Sequence, residues 1–465
     1  MRQYTAKKST THLSRYCLQQ WVRLLKERLE KEIWQIAFSA KLSVIAVCCL
    51  LTACGSPDDG TNNEVNNAPN RFFGNMETSP RFASVERNSP LTLPSDHKSH
   101  PDFQLEWWYL TFVLENETGE ALGLQYTLFR FNTNDEAYTD ATNDSWSNGQ
   151  QWMGHASLHT INAHYFEERF ASGGVGNAFV KSQPFSAVID DWMWQGVAQE
   201  LNNNSERESK PMFPSTLSFA FGQPKQVTPT TSEKEAQKLS EPTAITKEQK
   251  LNKAAVDVSL HLTASGPFVK HGERGYSQKT QDGRLRSYYY SQPFIEAQGT
   301  INVEGKVFNV TGKGWFDHEW TSHLANNQAM GWDWFSLHFD SGSKLMAFRM
   351  HATNQNEKDT EKSGENHMNE IYTTASYIAE NGDKETLSAD DISISPIQRE
   401  MIKRENRSHL VPVQWKIMIP SKNIDVSVSA FKKDQWNDSV FPYYEGRVEI
   451  EGSHSGSGFM ELTGY

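Results

Sequence analysis

Glu106-Trp107-Trp108-Tyr109-Leu110-Thr111-Phe112, leading to Leu128-Phe129-Arg130-Phe131, is echoed by Asp333-Trp334-Phe335-Ser336-Leu337-His338-Phe339, leading to Ala347-Phe348-Arg349-Met350. Each copy reads acid, Trp, aromatic, then Leu-x-Phe, a turn, and Phe-Arg on the next strand. A repeat spaced by about 220 residues predicts two similar β-domains in tandem, with chance similarity between aromatic strands as the alternative. In a strand, residues i and i+2 share a face. Glu106, Trp108 and Leu110 therefore point one way and Trp107, Tyr109 and Thr111 the other, while Asp333, Phe335 and Leu337 share a face in the second copy. A carboxylate thus sits beside inward-facing aromatics in both copies. The Phe-Arg strand that follows can bring Arg130 to Glu106 and Arg349 to Asp333, because an unpaired buried carboxylate costs several kcal/mol. Such pairs either close each domain as salt bridges or take part in a ligand site.

The pattern continues outward from the repeat. Short alternating runs rich in aromatic and β-branched residues lie between Gly, Asn and Asp turns: Trp107–Leu114, Ala121–Phe131, Val256–Thr263, Thr300–Val303, Val307–Thr311, Trp334–Phe339, Lys344–His351, Val413–Ile419 and Ile424–Ala430. Long helical periodicity is scarce, so the chain reads as all-β. Two polar stretches, about 223–254 and 353–368, read as inserted loops, the first alternatively as a loosely helical excursion. Of the 465 residues 37% are apolar and 14 are Trp, which permits a packed core and excludes wholesale disorder. The net charge is −12, and the first 53 residues hold nine Lys and Arg against three acids, so the remainder is strongly acidic. Such a surface repels phosphate backbones and argues against nucleic acid as a partner.

All four cysteines, Cys17, Cys48, Cys49 and Cys54, precede residue 55. Internal disulfides, a thiol nucleophile and Cys-bound metal are therefore excluded from the body of the chain. A basic stretch ending at Lys41 is followed by the largely apolar Leu42–Ala53. That run is too short to span roughly 30 Å of hydrocarbon as a helix but suits a signal-peptide core. Leu51-Thr52-Ala53-Cys54-Gly55 looks like a bacterial lipobox, making Cys54 the lipidation site that ties the protein to the bilayer; an uncleaved anchor with an incidental Cys is the alternative. Gly55, in place of the Asp linked to inner-membrane retention, favours the outer membrane, on the periplasmic side of the cell envelope. The segment ahead of the apolar run is either a basic amphipathic helix over 18–34 or the product of a start site placed too far upstream. The expected organisation is a presequence over 1–53, a solvated tether over 54–80, one domain over 81–300 that holds the polar insertion, and a second over 301–465.

The densest chemistry lies in Gly312-Lys313-Gly314-Trp315-Phe316-Asp317-His318-Glu319-Trp320, followed by Gly331-Trp332-Asp333-Trp334-Phe335. Alternation places Trp315, Asp317 and Glu319 on one face and Phe316, His318 and Trp320 on the other. Acids walled by Trp can be pushed to high pKa values and act as proton donors near neutral pH. His318 can then serve as a base, with Asp317 or Glu319 orienting a partner. The candidate catalytic residues are accordingly Asp317, His318 and Asp333. The candidate ligand contacts are Glu106, Trp108, Arg130, Tyr289, Trp315, Trp320, Trp332 and Arg349. Tyr289 belongs to Ser287-Tyr288-Tyr289-Tyr290-Ser291, an amphipathic wall suited to an elongated apolar ligand with a polar head, or else a set of cross-strand pairs supporting a sheet. Gly before Trp315 and before Trp332 lets a backbone or a ligand approach closely. There is no HExxH motif and His318 lacks a clear second ligand, so no metal site is expected. No G-x-S-x-G, Walker A or dinucleotide fingerprint occurs, so no serine nucleophile and no nucleotide or other cofactor are expected.

Several of these stretches in order resemble the AttH-like / carotenoid 1,2-hydratase-like lipocalin family: Leu105–Thr111 with Leu124–Arg130, Gly154-His155-Ala156, Ser287–Ser291, Trp315–Trp320, Gly331–Phe335, Tyr444-Glu445-Gly446 and Gly458–Tyr465. The similarity covers roughly residues 80–465 and looks closest to the branch described as predicted secreted hydrolases, whose members often accompany an ABC-type exporter. The resemblance implies two tandem lipocalin-like antiparallel β-barrels. In the carotenoid hydratases, an acid transfers a proton as water adds across a terminal C=C. Their His-x-Trp element corresponds to His318-Glu319-Trp320. Their later Tyr-x-Asp element would fall near Leu345-Met346-Ala347-Phe348-Arg349, which has no acid, leaving Asp317 or Asp333 to stand in. The expected function is an envelope lipoprotein that binds a hydrophobic or lipid-like molecule in a Trp/Tyr-lined cleft and exchanges it with ABC transporter subunits. The alternatives are a hydratase or hydrolase of an apolar substrate and a purely structural partner subunit.

Overall fold

A computed structural model describes residues 82–133, 148–197, 211–222, 255–323, 331–351, 370–404 and 407–465. The presequence with Cys54, the tether over 54–80, the polar stretch over 223–254 and the loop over 353–368 lie outside the described residues. Within them the chain is all-β apart from two short 3-10 turns, Ser95–His97 and Pro420–Lys422.

The first sheet contains β1 (Leu105–Asn116), β2 (Ala121–Asn132), β3 (Gln150–His159), β4 (His164–Ser172), β5 (Ala178–Ser182), β6 (Phe185–Ile189), β7 (Trp192–Gly196), β8 (Ser215–Phe221), β9 (Val256–Ala264), β10 (Val269–Lys270), β11 (Tyr276–Gln278), β12 (Arg286–Val303) and β13 (Lys306–Thr321). The second contains β14 (Gly331–Phe339), β15 (Lys344–His351), β16 (Glu370–Ile378), β17 (Lys384–Ser388), β18 (Ser393–Lys403), β19 (Ser408–Ile419), β20 (Ile424–Ala430), β21 (Trp436–Asn437), β22 (Tyr443–Gly452) and β23 (Gly456–Leu462). Both are antiparallel meanders with one shared design. The first strand pairs with the last, β1 with β13 and β14 with β23, and the circuit of pairing ends at strands adjacent in the chain, β4 and β5 in one sheet and β17 and β18 in the other. Curling the ends towards each other gives two barrel-like bodies in tandem, as the repeat implies. The division comes between Thr321 and Gly331 rather than at the expected 300/301 boundary, which falls inside β12.

The burial pattern explains why some strands alternate and others do not. β8, β9 and β20 each have one face in a barrel and one in water, and they alternate buried and exposed. β15 is buried at every position, and β1 and β3 nearly so. On β1 the even residues Trp108, Leu110 and Phe112 fill the first barrel. The odd residues Tyr109 and Val113 join Tyr289 and Trp315 against Trp334, Met346 and Phe348 of the second. Burying an aromatic side chain of this kind is worth roughly 1.5–3 kcal/mol, so the face between the barrels is a core in its own right.

Gly331 fits the expected close approach. A Cβ there would run into the carbonyl oxygen of Thr463 and the His351 ring. Gly331→Ala is expected to cost about 2 kcal/mol by pushing β14 away from the last strand. A shift of the urea midpoint checks this, and an unchanged midpoint would show that the neighbours give way freely.

Candidate functional site

Between the barrels lies a cleft of about 170 Å³ whose lining includes Trp107, Phe129, Met153, Trp332, Trp334 and Phe348 as apolar walls, together with Asp317, Glu319, Glu461 and His155. The strands deliver its acids by simple alternation. Asp317 on β13 stands opposite Tyr109 of β1 and Ser291 of β12. Its Oδ1 accepts from Trp315 Nε1 at 2.7 Å and from the Ser291 hydroxyl, and its Oδ2 accepts from the Tyr289 hydroxyl at 2.7 Å. Burial pushes this carboxyl up, the three donors pull it back, and the charge of Glu319 pushes it up again, leaving it at about 7.

The second barrel contributes Glu461 on β23, which accepts from Trp332 Nε1 at 2.7 Å. Burial raises it, the Trp332 bond lowers it, and the charges of Asp317 and Glu319 raise it further, again to about 7. Directly across on β22 is Glu445, fully buried and held by the Tyr109 hydroxyl and by Asn437 Nδ2 at 3.1 Å. Burial and the Glu461 charge hold it well above the ordinary carboxyl range. Glu319 has a cation close by: Lys279 Nζ lies 3.0 Å away, over the rings of Tyr289 and Phe348. His155 bridges the barrels, with Nδ1 2.9 Å from the Tyr443 hydroxyl and Nε2 2.8 Å from Glu168. The cleft therefore combines aromatic walls with carboxyls that keep their protons up to near neutral pH.

His318 belongs elsewhere. It points into the first barrel, where Glu106 is fully buried and saturated with donors. Glu106 Oε1 accepts from His100 Nδ1 at 2.6 Å and His318 Nε2 at 2.9 Å, and Oε2 from Arg130 Nε and the His100 backbone N–H, both at 2.8 Å. His318 Nδ1 lies 3.0 Å from the Tyr290 hydroxyl, which lies 2.7 Å from His97 Nδ1. Since Glu106 only accepts when ionised, His318 donates to it from Nε2. Burial, against the pull of Glu106, brings it down to about 4. Trp108 and Trp320 stack on the two imidazoles, with centroids 4.6 Å apart for Trp108 and His318 and 4.0 Å for His100 and Trp320. His100, Glu106 and His318 offer donor atoms within 4.8 Å of one another, a spacing that a metal ion could use. Arg130 on the same carboxylate already supplies the cation, and a second positive charge beside it would be repelled.

Asp333 is in a third place. Inside the second barrel, Oδ2 accepts from Arg349 Nε at 2.7 Å and Oδ1 from the Tyr465 hydroxyl at 2.6 Å. The expected catalytic set of Asp317, His318 and Asp333 is therefore not one site. One residue faces the cleft and the other two face separate barrel interiors. Of the expected ligand contacts, Trp332 lines the cleft, while Tyr289 and Trp315 support its acid. Glu106, Trp108, Arg130 and Trp320 serve the first barrel's polar plug, and Arg349 pairs in the second. The cleft residues not singled out from sequence as site residues include Trp107, Glu319, Lys279, His155 and Glu461, and Glu445 stands opposite Glu461 on the neighbouring strand. Glu461 lies in the alternating stretch Gly458-Phe459-Met460-Glu461-Leu462, where an acid on a strand between apolar neighbours is the available signal.

Comparison with known proteins agrees with this architecture. The AttH-like family model matches residues 84–228 and 223–465. A crystal structure of a provisionally assigned AttH from Nitrosomonas europaea is similar with a TM-score of 0.61 and 26% identity, covering 83% of this chain and 100% of that one. Kievitone hydratase from Nectria haematococca shares the fold with a TM-score of 0.50 and 14% identity, covering 82% of this chain and 96% of that one. No curated protein sequence matches. The chain belongs to the AttH-like family.

Proposed function

We propose that the cleft between the barrels binds a hydrophobic small molecule and that Asp317 presents a proton to it. The observation behind this reading is a carboxyl, held at about 7 by burial, among the lining of an aromatic-walled cleft. The walls bury an apolar body, and the acids supply the few polar contacts that orient it.

Hydration or dehydration of an apolar substrate is the chemistry this favours, ahead of hydrolysis. Asp317 acts as general acid and Glu461, of similar proton affinity, as the partner that receives a proton from water. Proton transfer to a C=C leaves a cation, which faces of Trp and Tyr stabilise. Hydration is also the reaction named for kievitone hydratase, whose fold this chain shares. The expected His318 base takes no part, being committed to Glu106. In the same proposal Cys54 carries the acyl chains that hold the protein on the periplasmic side of the envelope, where ABC transporter subunits pass it ligand or receive it.

The fluorescent apolar probe anilinonaphthalene sulfonate tests the binding claim on the full chain. Saturable binding is expected, weakened about tenfold by Trp332→Ala, the equivalent of about 1.4 kcal/mol. Lipid extraction of natively purified protein followed by mass spectrometry should recover a bound apolar molecule. No saturable probe binding together with an empty protein would sink the reading.

A further inference from the structure

A file of polar side chains adjoins Asp317 among residues outside the cleft lining. The Ser291 hydroxyl contacts Asp317 Oδ1, and Ser291 Oγ lies 2.6 Å from His271 Nε2. His271 Nδ1 in turn lies 2.8 Å from Ser376 Oγ. Ser291, His271 and Ser376 are all fully buried. Ser291 is fixed by its place opposite Asp317 in the β12–β13 ladder. His271 is fixed by its backbone bond to Tyr289 O at 3.0 Å and by stacking on the Tyr289 ring, centroids 4.1 Å apart. Ser376 belongs to β16, so the file passes from the first barrel to the second.

Every group in the file can both donate and accept, which allows two complete arrangements. With Asp317 ionised, Ser291 donates to Asp317, His271 Nε2–H donates to Ser291, and Ser376 donates to His271 Nδ1. With Asp317 protonated on Oδ1, Asp317 donates to Ser291, Ser291 donates to His271 Nε2, and His271 Nδ1–H donates to Ser376. The imidazole holds one ring proton in each arrangement. The two differ by the single proton on Asp317, exchanged with solvent or a bound molecule. A fixed donor in place of His271 would leave a buried polar atom unpaired in one of the two states.

We propose that Ser291 and His271 are positioning residues for Asp317, with His271 exchanging ring tautomer as Asp317 gains or loses its proton. The carboxyl then remains fully hydrogen-bonded in both states. This rests on the reading of Asp317 as an acid that takes up and releases a proton. Burial and the charges of Lys384 and Lys279 hold His271 well below its ordinary value, which keeps it neutral throughout. The other titratable groups around Asp317 are Glu319 on its own strand, Tyr289 on β12, Tyr109 opposite on β1 and Glu461 on β23.

Nitrogen-15 NMR of His-labelled full-length protein, alongside carbon-13 NMR of its Asp carboxyls, tests the coupling from about pH 5 to about pH 9. The His271 Nδ1 and Nε2 resonances should trade protonated and unprotonated character at the same midpoint as the Asp317 carboxyl. Ser291→Ala should abolish the pH response of His271, and Ser291→Thr, which keeps the hydroxyl, should retain it. A His271 tautomer that stays fixed while Asp317 titrates overturns the coupling and leaves the acid reading intact. An Asp317 that stays ionised across the range overturns both.

Discussion

Glu106→Ala lowers the stability of the fold by about 3–5 kcal/mol, the range found when one partner of a buried ion pair is removed. The loss comes from what is left behind. Arg130 is fully buried, with Nε on Glu106, one further nitrogen on Gln150 Oε1 at 2.6 Å and another on the backbone carbonyls of His100 and Phe103. Without the carboxylate, its charge loses the counterion it pairs with, and His100 and His318 each lose an acceptor. Replacing Glu106 and Arg130 together by Leu and Met should recover most of the loss, because the barrel then contains neither charge. The urea midpoints of wild type, single variant and double variant decide the matter. A double variant as unstable as the single would show that shape, not charge, is what the pair provides.

The same cluster sets a pH window. Burial opposes the charge of Glu106, but His100 and Arg130 outweigh it and hold the carboxyl well below its ordinary value. Its contribution is present above the unfolded value of 4.5 and is lost as pH falls towards the folded one. His100 is raised: burial lowers it, and the charges and hydrogen bonds of Glu106 and Asp96 more than compensate. Its contribution is complete below 6.5 and is lost as pH rises through the folded value. Glu106→Gln should therefore remove much of the acid limb of the stability profile.

The amino-acid order makes the barrels legible because strand parity is a local property. Lys344–His351 and Ile424–Ala430 read off with the bounds of β15 and β20. The two acid–Arg pairs follow from parity plus the repeat, and the register confirms them, Glu106 opposite Arg130 and Asp333 opposite Arg349. β12 and β13 are longer than their sequences suggest. Pro293 sits where the β12 register shifts between Gln292 and Ile295, so a bulge absorbs a residue that reads as a break. The site was harder to read for a physical reason. Parity already assigns Asp317 and His318 to opposite faces, so proximity in sequence places them in different compartments. The residues that meet Asp317 come from its own strand, from β12 and, through the charge of Glu461, from the last strand of the other barrel. Nothing periodic marks such a meeting, because it depends on which outer faces pack together.

Asp317→Asn should leave the fold intact at acid pH and make it more stable at alkaline pH. An acid whose folded pKa is raised favours the folded state only while it is protonated. Stability is therefore lost as pH climbs from the unfolded value of 3.8 through the folded value of about 7. At about 1.4 kcal/mol per unit, the wild type forfeits on the order of 4 kcal/mol across that range, and the Asn variant does not. Glu461 titrates in the same range and feels the Asp317 charge, so the protons leave the pair in two coupled steps, and Asp317→Asn should also ease the second. Denaturation midpoints measured at intervals from acid to alkaline pH should converge for the two proteins at low pH and separate in favour of the variant above neutrality. Parallel profiles would mean that Asp317 is ionised throughout, and a carboxylate that holds no proton at neutral pH has none to give a bound molecule. If the profiles do separate, the same variant should have lost any proton-dependent step at the cleft while gaining stability. That combination sets a poised acid apart from a structural one: a carboxylate kept for packing should cost stability when replaced, whereas one held neutral against water should release stability once its charge can no longer form.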